Sequence, residues 1–507
     1  MTRSDRRRFL QYAAAGTAGS VMLSELLGKL APVSAAESTL PADAVRMQPD
    51  IEPLVRLLEE TPRERVIEEV ASRVVGGKAT YREVLAALLL AGVRNVQPRP
   101  SVGFKFHAVL VVNSAHLASL ASPDSDRWLP IFWSIDNFKG SQARDVDEGD
   151  WTMTAVNESS LPPSHQALSL FRESMQKWDE TAADVSTAAL ARSHSAGAIF
   201  DAYAEFAARD FRSIGHKVIF LANAYRTLES IGWQYSEPVL RSLSYAMLNH
   251  QGDPNPAGAD LAADRDGKVN RERVDQVSDQ WLAGKHDSGA TTELLQALRS
   301  ISADEASQLV VEQLNRGVSV GSIFDALFAF SAELTMRQPA IVPLHAMTTT
   351  NAIHYTFRTC SDDRTRRYLL LQNAAFLPQF REAAQGRGRL ADLKIDELQP
   401  AENWQAEKPA EAIFQELGRD PAAAAAQMLA YLDQGQPVND AIHQARRLIF
   451  LKGTDSHDYK YSSAVLEDYH QLTPAWRDRF LAASLYKMRH EGERTTPLIE
   501  RIQSALS

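Results

Sequence analysis

Thirteen histidines and a single cysteine, Cys360, bound the chemistry open to this chain. Imidazole exchanges protons near neutral pH, donates to a developing oxyanion and ligates transition metals. One cysteine excludes intrachain disulfides, CxxC redox pairs and cysteine-rich zinc or iron–sulfur centres. Seven histidines lie on or beside segments that recur along the chain: His107, His116, His216, His345, His354, His457 and His470. His107-Ala108, Asn113 and His116 share the spacing His-Ala-x4-Asn-x2-His with His345-Ala346, Asn351 and His354. A further copy runs from Gly215-His216-Lys217 to Asn223-Ala224-Tyr225-Arg226, with arginine in the last place. The most degenerate copy is Lys460-Tyr461-Ser462-Ser463, followed by Glu467-Asp468-Tyr469-His470.

Helix geometry restricts what these residues can do together. Successive residues turn by about 100° and rise about 1.5 Å, so His107 and His116 point to roughly opposite sides, about 13 Å apart. They cannot hold one ion from one straight helix. Asn113 with His116, Asn223 with Arg226 and Asn351 with His354 are three apart and share a face. No His-x3-His or His-Glu-x2-His pair occurs, so the one-helix zinc signature is absent. Any metal or haem centre must be assembled between helices. Two convergences are open. His107, His216 and His345 meet as a catalytic set, or the later polar residues Asn113, His116, Asn223, Arg226, Asn351 and His354 meet as a substrate-binding set. Burying such groups is costly without partners, and hydrogen bonds between repeats would offset that cost as well as a ligand would. Acidic ligands are scarce on these segments. The residues leave the metal and the cofactor undetermined.

The elements that must carry these residues also recur. Gly197-Ala198-Ile199-Phe200-Asp201-Ala202 returns as Gly321-Ser322-Ile323-Phe324-Asp325-Ala326, more weakly as Val438-Asn439-Asp440-Ala441-Ile442, and most weakly as Glu83-Val84-Leu85-Ala86-Ala87. Helical stretches before three of these copies end at Gly77, Gly317 and Gly435, where glycine suits a left-handed C-cap. Asp201, Asp325 and Asp440 share one repeat position and read as helix caps or dipole partners. The period is roughly 110 residues, far longer than solenoid repeats. Strand signals are sparse. The expected fold is all-α, a multi-helical assembly of about four duplicated helical units. Residues 37–250 carry the first two, 251–270 a linker or long loop, 271–400 the third and 401–507 the fourth. A shorter break is expected over Gly140–Ser164. Asp264-Arg265-Asp266-Gly267 lacks the flanking carboxylates of a calcium loop and reads as a turn.

The chain has 507 residues, 44% hydrophobic and 23% charged, as in ordinary globular proteins. Its net charge of −10 excludes nucleic acid as the main partner. Arg6-Arg7-Arg8-Phe9-Leu10 precedes a moderately apolar run and the small-residue sites Val33-Ser34-Ala35 and Ser34-Ala35-Ala36. This looks like a twin-arginine signal over residues 1–36. It implies the twin-arginine translocase as a partner during export and a periplasmic or extracytoplasmic mature chain. No other stretch reaches the roughly 18 uninterrupted apolar residues of a membrane span. Dinucleotide, phosphate-loop and nucleophile-elbow motifs are absent.

From Ile214 through Arg226, continuing over Ser236 to Leu243, the chain resembles the questin oxidase-like family. His345-Ala346-Met347-Thr348 resembles that family's third histidine segment. Lys217 stands where the family has proline, and Phe220 where it has a second histidine. The resemblance implies a helical oxidoreductase, monooxygenase-like, that acts on an aromatic or quinone-like small molecule. It assigns His216 and His345, and through a weaker match His107, to binding or polarising a substrate carbonyl. Two other readings stay open: a non-catalytic helical-repeat binding protein of the cell envelope, and a haem- or metal-binding protein.

Overall fold

Short polar residues before apolar runs start many of the helices, where their side chains cap free backbone N–H groups. Thr80, Ser302 and Asp455 each form a reciprocal capping box with the acid three residues on, Glu83, Glu305 and Asp458. Ser195, Ser319 and Asp362 cap further helices through their side chains. At the other ends, Gly77, Gly317 and Gly435 take φ of 66°, 85° and 73°, as a left-handed cap demands. The computed structural model describes residues 44–99, 105–405 and 408–507. The leader expected over 1–36 lies outside them. Among the described residues no strand forms, and Lys285 with Val318 makes an isolated bridge. The fold is all-α and multi-helical, and Val45–Ser507 is one compact unit.

Thirteen helices carry the site, in four successive groups. The first is α1 (Tyr81–Asn95), the short α2 (His107–Leu110), α3 (Val112–Leu120) and α4 (Leu129–Asp147). The second is α5 (Ala196–Ala207), α6 (His216–Ile231) and α7 (Ser236–Leu248). The third is α8 (Val320–Arg337), α9 (Ile341–Thr359) and α10 (Asp363–Gln385). The fourth is α11 (Val438–Lys452), α12 (Ser456–Asp468) and α13 (Pro474–Ser484). The middle helices close a ring: α3 packs on α6, α6 on α9, α9 on α12, and α12 on α3. Being central, they are largely buried. On α9 the polar His345, Thr348, Thr349, Thr350, Asn351 and Thr356 are all buried. The chain thus carries a polar axis inside an apolar shell, which requires specific partners for each buried group.

Several sequence expectations change at element level. The stretch 251–270 is a loop only to Leu261, and Ala262–Arg273 is a helix. Its buried face is polar (Asp264, Gly267, Asn270, Arg273), so no apolar period announced it. Asp264 pairs with Arg212, and Asn270 donates to Gln372 at 2.7 Å. The expected break at Gly140–Ser164 begins only after Asp147, where α4 ends. Asp201 and Asp325 do not cap their own helices. Asp201 accepts from the Ser361 backbone at 2.8 Å, and Asp325 accepts from Thr473 N–H and O–H at 3.0 and 2.6 Å. Each ties down the turn ahead of another helix, α10 or α13. Asp440 is exposed in the first turn of α11.

Candidate active site

His107, His216, His345 and His457 come together at one end of the central ring. His107 opens α2, His216 is the first residue of α6, His345 lies in the second turn of α9, and His457 is the second residue of α12. His107 and His216 approach Nε2 to Nε2 at 3.0 Å, and His216 and His345 at 3.2 Å. The ring of His457 lies 4.6 Å from His107 and 5.2 Å from His345, centre to centre. One ligating atom each from His107, His345 and His457 fits within a 4.8 Å spread. The early-segment convergence is thus what the structure shows, enlarged by His457. That residue was seen beside the fourth segment but not placed with the other three. Aligning the degenerate fourth copy on Lys460 put the expected position one helical turn too late.

The outer face of each ring fixes its tautomer. His216 Nδ1 donates to the Ser213 carbonyl, His345 Nδ1 to the Ile341 carbonyl at 2.6 Å, and His457 Nδ1 to the Asp455 carboxylate at 3.2 Å. Carbonyls and carboxylates only accept, so these three nitrogens carry the hydrogens. A neutral ring then presents a bare lone pair at Nε2. His216 and His345 therefore face each other with lone pairs 3.2 Å apart, and the buried Nε2 of His457 has no hydrogen-bond partner. Burial first, then neighbouring positive groups including Lys460, pushes His107 and His216 well below the usual histidine range. For His345, burial is again the largest cause, followed by His216 and Lys460.

A metal cation answers this arrangement. Two imidazole nitrogens about 2.1 Å from one ion and 3.0–3.2 Å apart subtend roughly 90–100°, an ordinary coordination angle. Asp455 behind His457 supplies the carboxylate that orients a ligating imidazole. One turn beyond His457, Lys460 is buried with no hydrogen-bond partner for its amine, and burial pushes its pKa down to about 7. A neutral amine there can exchange a proton or donate a lone pair. A cavity of about 400 Å³ opens against His107 and His457 and is lined by polar groups including Arg63, Lys105, Asn137 and Arg144.

The later polar set divides. Arg226, Asn351 and His354 line a second cavity of about 330 Å³, together with Tyr355, Arg358 and Glu467. There Arg226 pairs with Glu467 at 2.7 Å, and Asn351 donates to Glu467 at 3.1 Å and to Asp468 at 2.8 Å. Burial, then the Glu467 charge, raises Asp468 well above the carboxylate range. Burial holds His354 down to about 3, and its ring packs against Phe324 and Phe328. His116 instead bridges helices, between Tyr81 Oη at 2.9 Å and Ser230 Oγ at 3.2 Å. Asn223 donates to the Leu110 carbonyl at 2.9 Å, and Asn113 is buried on α3. Phe220 packs edge-on against Phe106. Compared with family models, curated proteins and solved structures, the chain matches none.

Proposed function

We propose that the four histidines hold a first-row transition-metal ion and that the protein is a metal-dependent oxidoreductase acting on a small organic molecule. One observation carries the metal reading. Three Nδ1 atoms are committed to Ser213, Ile341 and Asp455, which leaves Nε2 lone pairs on His216, His345 and His457, the first two 3.2 Å apart. The all-nitrogen donor set suits iron, copper, nickel or zinc. A redox-active ion would supply electron transfer or oxygen activation. The protein supplies fixed ligands, exclusion of water on the buried side, and a cavity at His107 and His457 that admits substrate. Lys460 stands ready to take up or release a proton beside the ion. The oxidoreductase class, and an aromatic or quinone-like substrate, rest on the resemblance of the segments around His216 and His345 to the questin oxidase-like family. Export by the twin-arginine route rests on Arg6-Arg7 and accords with a cargo that folds around its ion before transport.

Elemental analysis of full-length protein from its own compartment tests the metal reading. About one first-row metal per chain is expected, removable by a chelator and lost in His216→Ala and His345→Ala. Metal-free wild-type protein that stays empty after incubation with iron, copper, nickel and zinc salts would overturn it.

A further inference from the structure

His216 is the one histidine of the four delivered by a backbone that no ordinary turn would adopt. The three residues ahead of it are consecutively left-handed: Ser213 at φ 57°, Ile214 at φ 42° and Gly215 at φ 81°. A β-branched residue in that region is a real outlier, and such conformations persist only where the surroundings over-determine them. The tight turn swings the Ser213 carbonyl back onto His216 Nδ1, which fixes both the ring's tautomer and its direction. Thr349 of α9 closes the turn from the other side. A Cβ on Gly215 would lie 1.9 Å from Thr349 Oγ1, so only glycine fits.

What holds the turn is a buried charged knot. Asp210, just before it, accepts from the Arg212 backbone N–H at 3.0 Å and from Lys217 Nζ at 2.8 Å. Both Asp210 and Lys217 are buried, so this ion pair joins the two ends of the strained segment away from water. Arg212 is anchored outward to Asp264 and to Asp253. Arg209 stacks at 3.5 Å on Trp178, whose face also receives Lys217 Nζ at 4.8 Å. Gln251 donates to Ser213 Oγ at 2.9 Å. Five non-glycine residues have left-handed backbone among those described, and four of them, Trp178, Ser213, Ile214 and Gln251, belong to this knot.

We infer that the Asp210–Lys217 pair is a positioning device: it clamps the left-handed turn so that His216 Nε2 is aimed at the centre shared with His107 and His345. The inference rests on the metal reading of that centre. It gives Lys217 a role through its neighbour, at the place where the resembled family has proline. Proline fixes a backbone covalently, whereas here a buried ion pair does so by pinning residues 210 and 217 together.

Removing Asp210 alone would leave Lys217 an uncompensated buried charge, so the pair is neutralised together as Asp210→Asn/Lys217→Met, while Arg209 and Arg212, which also face Asp210 at 3.9 and 3.8 Å, keep the Met175 carbonyl and Asp264. Metal-free full-length protein is titrated with cobalt(II), whose visible absorption reports ligand number and geometry. The double variant should bind cobalt at least tenfold more weakly and with an altered spectrum, while Lys217→Arg, which keeps the pair, should behave like wild type. Asp210→Glu keeps both charges of the pair but moves the pin by one methylene. It provides a second test should the double variant not fold, with an expected affinity loss of at least threefold. Wild-type protein that binds cobalt, beside a folded variant of either kind with the same affinity and spectrum, would overturn the positioning role alone. Wild-type protein that takes up no cobalt would overturn the metal reading and this inference with it.

Discussion

At the scale of single residues, the protein gathers ionisable groups where water cannot reach them, and their protonation follows. His107, His216 and His345 are held neutral well below the ordinary histidine range, chiefly by burial. An unfolded histidine titrates near 6.5, so below about pH 6.5 the unfolded chain binds more protons than the native one. Their folded values are lowered, so their contribution to stability is present above pH 6.5 and is lost as pH falls. The slope is at most about 1.4 kcal/mol per pH unit for each group. Lys460 acts in the same sense over a higher window, from the ordinary lysine value down to about 7. The metal-free protein should therefore lose stability steadily from pH 7.5 to 5.5 in urea melts, and His345→Gln should flatten that slope. Asp468 has the opposite sign. Its native carboxyl keeps a proton that the unfolded chain releases above the usual carboxylate range. Asp468→Asn should accordingly raise stability at pH 7, and a lowered urea midpoint would contradict the assignment. The histidine types and spacings were legible in the sequence. The tautomers were not, because they depend on carbonyls of Ser213 and Ile341 that folding alone brings to the rings.

At the scale of elements, the repeated aspartates show how local patterns mislead. Asp201, Asp325 and Asp440 occupy one repeat position and suggested helix caps. Capping belongs instead to Ser195 and Ser319, while Asp201 and Asp325 reach across to the turns before α10 and α13. The helices start at Ala196 and Val320, so both carboxylates sit a turn past the cap, and the shared repeat position alone does not mark that start. Asp325→Ala should destabilise by about 1–3 kcal/mol, since it leaves the half-buried N–H and O–H of Thr473 unpaired. The effect of Asp440→Ala should stay within about 0.5 kcal/mol, because that side chain is exposed. Equal losses at Asp325 and Asp440 in denaturant melts would show that both act as simple caps. The helix Ala262–Arg273 was missed for a related reason. Its docking face is polar, and periodicity arguments see only apolar faces.

At the scale of the whole molecule, the all-helical class followed from glycine-terminated apolar stretches and missing strand signals, and the structure has that class. Convergence of the early histidines was one of two arrangements that spacing left open. Choosing between them needs the ring of α3, α6, α9 and α12, a tertiary fact with no local signature. The histidines meet at one end of that ring, whereas the later set is split between the second cavity, lined by Arg226, Asn351 and His354, and hydrogen bonds between helices. On the proposed export route, Arg6→Lys/Arg7→Lys should leave the precursor in the cytoplasm, and its normal export in a fractionation assay would show the leader to be misread.

The four histidines lie at 107, 216, 345 and 457, so an ion held by them would bind parts of the chain far apart in order of synthesis. Such an ion acts as a reversible cross-link. It closes three large loops at one point and restrains the native state against opening, as a set of staples would. Binding only the native state, it adds RT ln(1 + [M]/Kd), about 2.7 kcal/mol at a hundredfold excess over Kd. Chelation should then lower the melting temperature and make it depend on free metal concentration. Because the last ligand arrives at residue 457, a nascent chain has no complete site until that residue has emerged. Occupancy of the centre would thus mark a finished, correctly closed protein.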